Sequence, residues 1–157
     1  MPKFTIINIA NKMPAWVVEA SHDYLKRINN NTYSCNIIEL KQNTLSNKSV
    51  LENLEIEAKK ILNLIKKTHF VIVLDEKGKN LSSLQFAKKL DDIFLEYSEI
   101  IFIIGSAHGL ANEIKSRANL ILQLSSLTYP HTLARVVIIE QIYRAITILD
   151  NHPYHKE

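Results

Sequence analysis

Two loops hold most of the residues with chemistry to offer. The first is Gly105-Ser106-Ala107-His108-Gly109, and it follows an apolar run at residues 100–104. The second is Ser125-Ser126-Leu127-Thr128-Tyr129-Pro130, and it follows an apolar run at residues 120–124. Each opens into a helix. Small and hydroxyl residues just past a buried strand are what an open parallel sheet uses to hold a ligand, in the crevice beyond the carboxyl ends of its strands. The chain has only three glycines, Gly78, Gly105 and Gly109. All three are expected just beyond strand ends, where the backbone needs positive φ or close approach by a ligand. Their spacing is neither G-x-G-x-x-G nor that of a Walker loop, so neither nucleotide class is supported. No G-x-S-x-G elbow or paired-carboxylate motif is present, which argues against hydrolysis.

A third group of polar residues lies on and after the last helix. Arg135 and Arg144 interrupt an apolar stretch at residues 131–149, as do Glu140 and Gln141. Glu140 and Arg144 stand at i, i+4 and can pair with each other. An arginine on an apolar helix near a cleft is equally suited to meet a phosphate or a carboxylate. His152, Tyr154 and His155 fall in the last six residues, as a frayed tail or as part of a site. The histidines have no metal-ligand spacing with one another or with the single Cys35, so no metal is expected. Cys35 reads as a small buried hydrophobe in a strand.

The elements that must position these groups alternate. Residues 4–9 suit a buried strand, and Met13-Pro14-Ala15-Trp16 opens a helix stopped by Asn29-Asn30-Asn31. Residues 33–40 read as a strand, 41–49 as a polar surface loop, and 49–67 as a helix with one apolar stripe. Residues 70–74 form a continuous apolar run, the mark of a strand covered on both faces, and 75–79 read as the turn after it. Ser82 and Ser83 cap a further helix. Strand and helix thus alternate about five times without repeat or linker, which predicts one α/β domain over residues 1–157 with a mostly parallel sheet flanked by helices. The last helix is apolar in two rows: Leu133, Val136, Ile139, Tyr143 and Ile146 in one, and Ala134, Ile138, Ile142, Ala145 and Leu149 in the other. One row can cover the sheet; a second copy of the chain is the simplest cover for the other, against burial within one chain.

Composition sets outer bounds. The chain has 157 residues, 46% of them apolar, and a formal net charge of +3. That is one ordinary core, and a charge that permits an RNA partner without arguing for one. No apolar run approaches membrane length, and residues 1–10 read as a strand and not as a signal peptide, so a cytoplasmic protein is expected.

Several segments then carry a family resemblance. They are Lys12-Met13-Pro14-Ala15-Trp16, Leu74-Asp75 with Gly78-Lys79, Ile104-Gly105, the pattern L-S-x-L-T-x-P-H at residues 124–131, Arg135-Val136, E-Q-x-Y-R-A at 140–145, and the closing N-H-P-Y-H-K-E of residues 151–157. On these the chain resembles the SPOUT superfamily, and within it the ribosomal RNA large-subunit methyltransferase H family. The resemblance spans the whole chain. It implies an α/β SPOUT fold with a C-terminal trefoil knot, a homodimer, and S-adenosylmethionine as methyl donor. The implied substrate is a pseudouridine of 23S rRNA, methylated at N3 on the assembled ribosome. It implies cofactor contacts from Leu74, Gly105, Leu124, Ser125, Ser126, Leu127, Thr128 and Tyr129. The family usually has two glycines where this chain has Gly105-Ser106, and that is the one departure.

Methyl transfer from a sulfonium needs in-line placement and a nucleophile without its proton, and neither a metal nor a covalent enzyme intermediate. Arg144, Tyr154 and His155 are the catalytic candidates, with Arg144 for the phosphate or developing negative charge. Arg135, Arg144 and His155 are the candidates for holding RNA. A shared active site is expected if the tail of one subunit reaches the cleft of the other. Two other readings compete: a methyltransferase that uses S-adenosylmethionine on a small molecule or protein, and a non-catalytic ribosome-binding module.

Overall fold

The computed structural model describes residues 1–156; Glu157, the last residue of the closing motif, lies outside the described residues. The elements run β1 (Lys3–Ile9), α1 (Ala15–Ile28), β2 (Ser34–Leu40), α2 (Val50–Leu62), β3 (Phe70–Asn80), α3 (Ser83–Ile93), β4 (Glu99–Ile104), α4 (Asn112–Arg117), β5 (Leu120–Gln123) and α5 (His131–Leu149). The five strands form one sheet in the order β2-β1-β4-β3-β5, every neighbouring pair parallel.

The central strands are apolar on both faces because both faces are covered. On β4, Ile100, Phe102 and Ile104 join a core with Phe86 and Leu90 of α3 and Ile138, Ile139 and Ile142 of α5. Ile101 and Ile103 point the other way, into a second core with Ala58 and Ile61 of α2 and Ile114 of α4. Of the two serines expected to cap α3, Ser82 is the cap and Ser83 the first helical residue, while Ser49, expected inside its helix, caps α2. Ser49 and Ser82 each accept from the backbone three residues on, and Glu52 and Gln85 return the bond in full capping boxes.

Three boundaries differ from the expectation. α2 stops at Leu62 instead of running to residue 67. Lys66 N–H donates to His69 Nδ1 at 3.0 Å, closing a turn that still carries Ile65 into the core. The expected turn at 75–79 is a continuation of β3 through a bulge. Both Leu74 and Lys79 are paired with Leu122, and Gln123 Nε2 donates to the Glu76 carbonyl at 2.8 Å. Gly78 therefore lies inside a strand. A Cβ there would sit 2.6 Å from the Leu122 carbonyl carbon and 2.8 Å from Gln123 N, so the glycine is required by the passage of β5's backbone across it.

The third difference concerns α5. Both of its apolar rows enter the same core, because the helix lies between α1 and α3 on the sheet. The two-row argument for a second copy is thereby corrected: one chain covers most of both rows. The tail is not frayed either. Asn151 turns left-handed (φ 56°), its N–H reaches the Ile148 carbonyl at 3.2 Å, and His152 N–H reaches the Thr147 carbonyl at 2.8 Å. Those two bonds are the Schellman ending of a helix, and they fold the chain back along α5.

Gly78→Ala is expected to cost about 2–3 kcal/mol of unfolding free energy by urea denaturation, because backbone must move. Gly109→Ala, at φ 81° with nothing within 4 Å of the added carbon, is expected to cost about 1–2 kcal/mol from conformation alone. Equal costs would remove the close-approach argument. Burial pushes the Cys35 thiol from 9.0 up to about 12. Folding favours its neutral form, so this contribution is whole below pH 9 and is lost as the pH rises from there towards 12. At pH 8 a thiol reagent should label the folded chain roughly ten-fold or more slowly than the unfolded one.

A cleft at the strand ends and an arginine cluster at the end of the last helix

The carboxyl ends of β4 and β5 and the bulged middle of β3 open into a cleft of about 650 Å³. Leu74, Gly105, Leu124, Ser125, Leu127, Thr128 and Tyr129 all line it, joined by Ile104, Ser106, Leu110 and the first turn of α5 through His131 and Ala134. Of the eight residues expected around a cofactor, only Ser126 is outside the lining. The volume falls within the ~300–1,000 Å³ of sites that enclose a ligand of cofactor size. The 124–130 loop belongs to no strand or helix, so its backbone groups are not committed to a ladder; Leu127 N–H donates to Ser125 Oγ at 3.0 Å. The Leu127 side chain is 73% exposed, which leaves it standing at the mouth.

Gly105 has a different justification from the one expected. A Cβ on it would meet the Gly109 carbonyl oxygen at 2.7 Å and the Leu110 side chain at 2.8 Å. The turn folds back over its own first residue, so the turn needs the glycine before any ligand does. Ser106 fits this turn. Its carbonyl accepts from Gly109 N–H at 2.9 Å and its Oγ accepts from His108 N–H at 3.3 Å.

Sequence reasoning missed the charges of the cleft. Asp75 and Lys115 both line it and pair at 3.1 Å. Burial alone would raise the Asp75 carboxyl, but Lys77 N–H and the Lys115 ammonium hold it below the ordinary range. Asp75 was masked because it read as a turn residue; as strand backbone its side chain is aimed. The cleft thus combines apolar walls with one fixed carboxylate. Those residues fit a cationic, adenosine-bearing ligand: Leu74, Leu124 and Tyr129 to cover flat apolar surface, and Asp75 for a hydroxyl or positive group.

Arg144, Tyr154 and His155 are brought together elsewhere, by the folded-back tail. Arg144 donates to Glu140 Oε1 through Nε at 2.8 Å and through Nη2 at 2.7 Å. Tyr154 O–H donates to the same oxygen at 3.1 Å, and the Arg144 guanidinium lies 4.8 Å from the Tyr154 ring centroid. Arg144 Nη1 is 3.1 Å from His155 Nδ1. Arginine only donates, so Nδ1 is the acceptor and a neutral His155 carries its proton on Nε2. Burial pushes the Tyr154 hydroxyl up, and Tyr24 and Glu140 push it further. A protonated phenol and an imidazole whose acceptor nitrogen is engaged make this a hydrogen-bonding surface and not a ready base. Three of the five guanidinium N–H donors are used, which leaves two for an incoming anion. Glu140, read from sequence only as a partner for Arg144, is the hub of the cluster.

Arg135 does not join it. The residue is 3% exposed; its Nε donates to Ser21 Oγ at 3.1 Å and its Nη1 lies 3.3 Å from Glu39 Oε2. In this conformation it ties α5 to α1 and β2 and is not presented to a phosphate. Arg144 in turn is ten residues along α5 from the cleft-lining Ala134, about 15 Å of helix. One chain therefore holds a cleft and an arginine cluster at opposite ends of α5.

Comparison with known proteins follows this geometry. Residues 2–155 match the family model described as predicted SPOUT methyltransferase. The chain is 39% identical over 156 residues to ribosomal RNA large subunit methyltransferase H of Chromobacterium violaceum, covering 99% of each. It is 43% identical over 155 residues to the protein of that name in Polynucleobacter asymbioticus, again covering 99% of each. A probable methylase family protein from Haemophilus influenzae shares the fold at a TM-score of 0.51 and 11% identity, over 98% of this chain and 70% of that one.

The Asp75–Lys115 pair generates a pH prediction. A lowered carboxyl stabilises the fold above its unfolded pKa and loses that contribution as pH falls. The difference in unfolding free energy between wild type and Asp75→Asn should be present at pH 7 and shrink below about pH 4. A difference independent of pH would leave the ion pair without a stabilising role.

Proposed function

The chain belongs to the SPOUT methyltransferase family, and we propose that it transfers the methyl group of S-adenosylmethionine to large-subunit ribosomal RNA, at N3 of a pseudouridine. The observation that carries this reading is the convergence of Leu74, Gly105 and the 124–131 segment on one cleft. Relatives 39% and 43% identical over nearly the whole chain bear the name of a large-subunit rRNA methyltransferase, which supports the substrate class.

When bound, the cofactor supplies an electrophilic methyl on a sulfonium. The chain's own residues do the rest. Leu74, Leu124 and Tyr129 cover its apolar surface and exclude water. Asp75 offers the carboxylate for a hydroxyl or cation. Arg144 meets the RNA: its free N–H groups hold a phosphate, or stabilise the anion left when N3 gives up its weakly acidic proton to water. Preorganised donors of this kind act by charge stabilisation and need no base of their own. Tyr154 and His155 hold Arg144 and Glu140 in place and present a flat face to the base.

Cleft and cluster stand about 15 Å apart along one helix, so we read the active site as shared: the tail of one subunit serves the cleft of a second. The trefoil knot belongs to the same proposal, formed where β5 crosses the β3 bulge and the chain turns back through 124–130 into α5. The 23S rRNA is read as approached on the assembled ribosome, whose surface would position so small a basic domain.

The test is transfer of labelled methyl from S-adenosylmethionine to ribosomes lacking the modification, with the nucleoside identified by mass. N3-methylpseudouridine from 23S rRNA is the expected product. Label on a small molecule or protein, or none, would overturn the reading. Arg144→Ala should slow transfer roughly 100-fold while cofactor affinity, read by calorimetry, stays within about two-fold, since Arg144 is outside the cleft. Mixing Arg144→Ala chains with cleft-defective Gly105→Val chains should recover roughly a quarter of the wild-type rate if sites are shared; no recovery would place each site within one chain.

A further inference from the structure

A second cavity, of about 180 Å³, lies between the 41–49 loop and α2. Its lining includes Thr44, Leu45, Val50, Leu54, Glu57 and His108. Glu57 is the unusual member. It is 3% exposed, and its Oε2 accepts from Asn43 N–H at 2.7 Å. Its Oε1 is buried and has no hydrogen-bond partner among the described residues. A buried carboxylate oxygen without a donor is costly. An N–H entering the cavity would satisfy it.

We propose that this cavity receives one unpaired RNA base whose pairing edge sets an exocyclic amino group beside an acceptor ring nitrogen, as adenine and cytosine do and guanine does not, next to the nucleotide that is methylated. The proposal rests on the reading of the substrate as RNA. The size fits a single ring system, being below the ~300 Å³ at which whole drug-sized ligands begin. The available hydrogen-bonding groups select the class. Around it, Asn43 Nδ2 donates to Asn53 Oδ1 at 2.5 Å, Asn53 Nδ2 donates to the Leu45 carbonyl at 3.3 Å, and Gln42 Oε1 accepts from Asn11 Nδ2 at 3.2 Å. Glu57 Oε1 is the one buried acceptor of the described lining without a donor, and the Thr44 hydroxyl, the Gln42 amide and the His108 ring can donate beside it. An amino N–H satisfies Oε1, and the ring nitrogen beside it accepts from Thr44 or His108. Uracil places a carbonyl oxygen where the amino group would be, against a carboxylate oxygen. Leu45, Val50 and Leu54 supply apolar surface for the faces of the ring, and Leu45 and Val50 are about half exposed, so the cavity is open to an extruded base. Unpaired bases splayed out of a loop are what RNA-binding proteins read in this way.

Position connects the cavity to the chemistry. His108 belongs to the 105–109 turn, whose Ser106, Ala107 and Gly109 line the cofactor cleft. The two cavities thus back onto opposite sides of one turn. A metal is a poor alternative occupant, because Glu57 is the sole carboxylate of the lining and hard cations need several oxygen ligands.

The test uses the full chain saturated with S-adenosylhomocysteine, so that the cleft is filled and a nucleotide can report only on the second cavity. Cytidine 5′-monophosphate is titrated against ¹⁵N-labelled protein, with uridine 5′-monophosphate as control. The expected result is shifts at Leu45, Asn53 and His108 with cytidine and none with uridine. In Glu57→Gln, Asn43 N–H keeps the carbonyl oxygen at the Oε2 place, so an NH₂ replaces the acceptor at Oε1; the cytidine shifts should vanish. On ribosomes the same variant should raise KM roughly ten-fold with kcat and cofactor affinity unchanged. Thr44→Val is the second variant, and should weaken cytidine binding while keeping the fold. No shifts with cytidine, equal shifts with uridine, or a wild-type KM in Glu57→Gln would overturn the proposal. Failure of wild type to methylate ribosomes would instead sink the substrate reading, and the cytidine titration would still decide whether the cavity reads a base.

Discussion

Burial of α5 in the trough between α1 and α3 is the contact on which cleft and cluster both depend. Ile138, Ile139, Ile142 and Ile146 are almost fully removed from solvent there. At about 1.5–3 kcal/mol each, four such side chains contribute about 6–12 kcal/mol, comparable with the ~5–15 kcal/mol net stability of an ordinary domain. A helix held that firmly fixes what stands at its two ends. Its first turn is a wall of the cleft, and its last turns carry Glu140, Tyr143 and Arg144. The left-handed Asn151 then returns the tail along the same surface, so that Tyr143 and Tyr154 meet edge to face at 4.7 Å.

The two arginines of α5 show how position decides what a charge can do. Arg135 is sealed among Ser21, Glu39 and the core, and its charge is spent on joining three elements. Arg144 is also paired, but with a carboxylate that shares its interactions and with N–H groups to spare. Neither fate follows from residue type. Both stand on the same apolar helix, nine residues apart, and the difference comes from what α1 and β2 place opposite one and what the tail places opposite the other.

Much of the fold was legible because a parallel sheet covered on both faces leaves continuous apolar runs. Residues 70–74, 100–104 and 120–124 each marked a strand, and α5 was bounded correctly by Pro130 and the polar residues after Leu149. The cleft was legible for the same reason: loops at the ends of such runs have to meet. What failed was whatever depends on backbone passing backbone or on a turn distant in sequence. Residues 75–79 look like a turn because Gly78 and four charged residues flank it, yet the pairing with β5 continues through them. The second apolar row of α5 looked unpartnered because helical periodicity says nothing about neighbours further along the chain. Glu57 and Asp75 were missed because an exposed and a buried carboxylate read alike until the covering elements are placed. Composition alone left the tail undecided between frayed end and site, and the contacts of Tyr154 and His155 with Glu140 and Arg144 show that it is folded against α5.

The order in which the pieces meet carries a consequence for synthesis. α1 is among the first elements to leave the ribosome, and its packing partner α5 is the last. β4, the seventh of the ten elements, must slot between β1 and β3, and β5 must then lay its backbone across Gly78. The nascent chain cannot close its larger core until α5 has emerged to meet α1 and α3. Up to that moment the apolar faces of β1, α1 and α3 have no permanent cover. Completion is therefore governed by long-range contacts and slow by topology, and a chain truncated within α5 loses the part that makes the earlier elements stay.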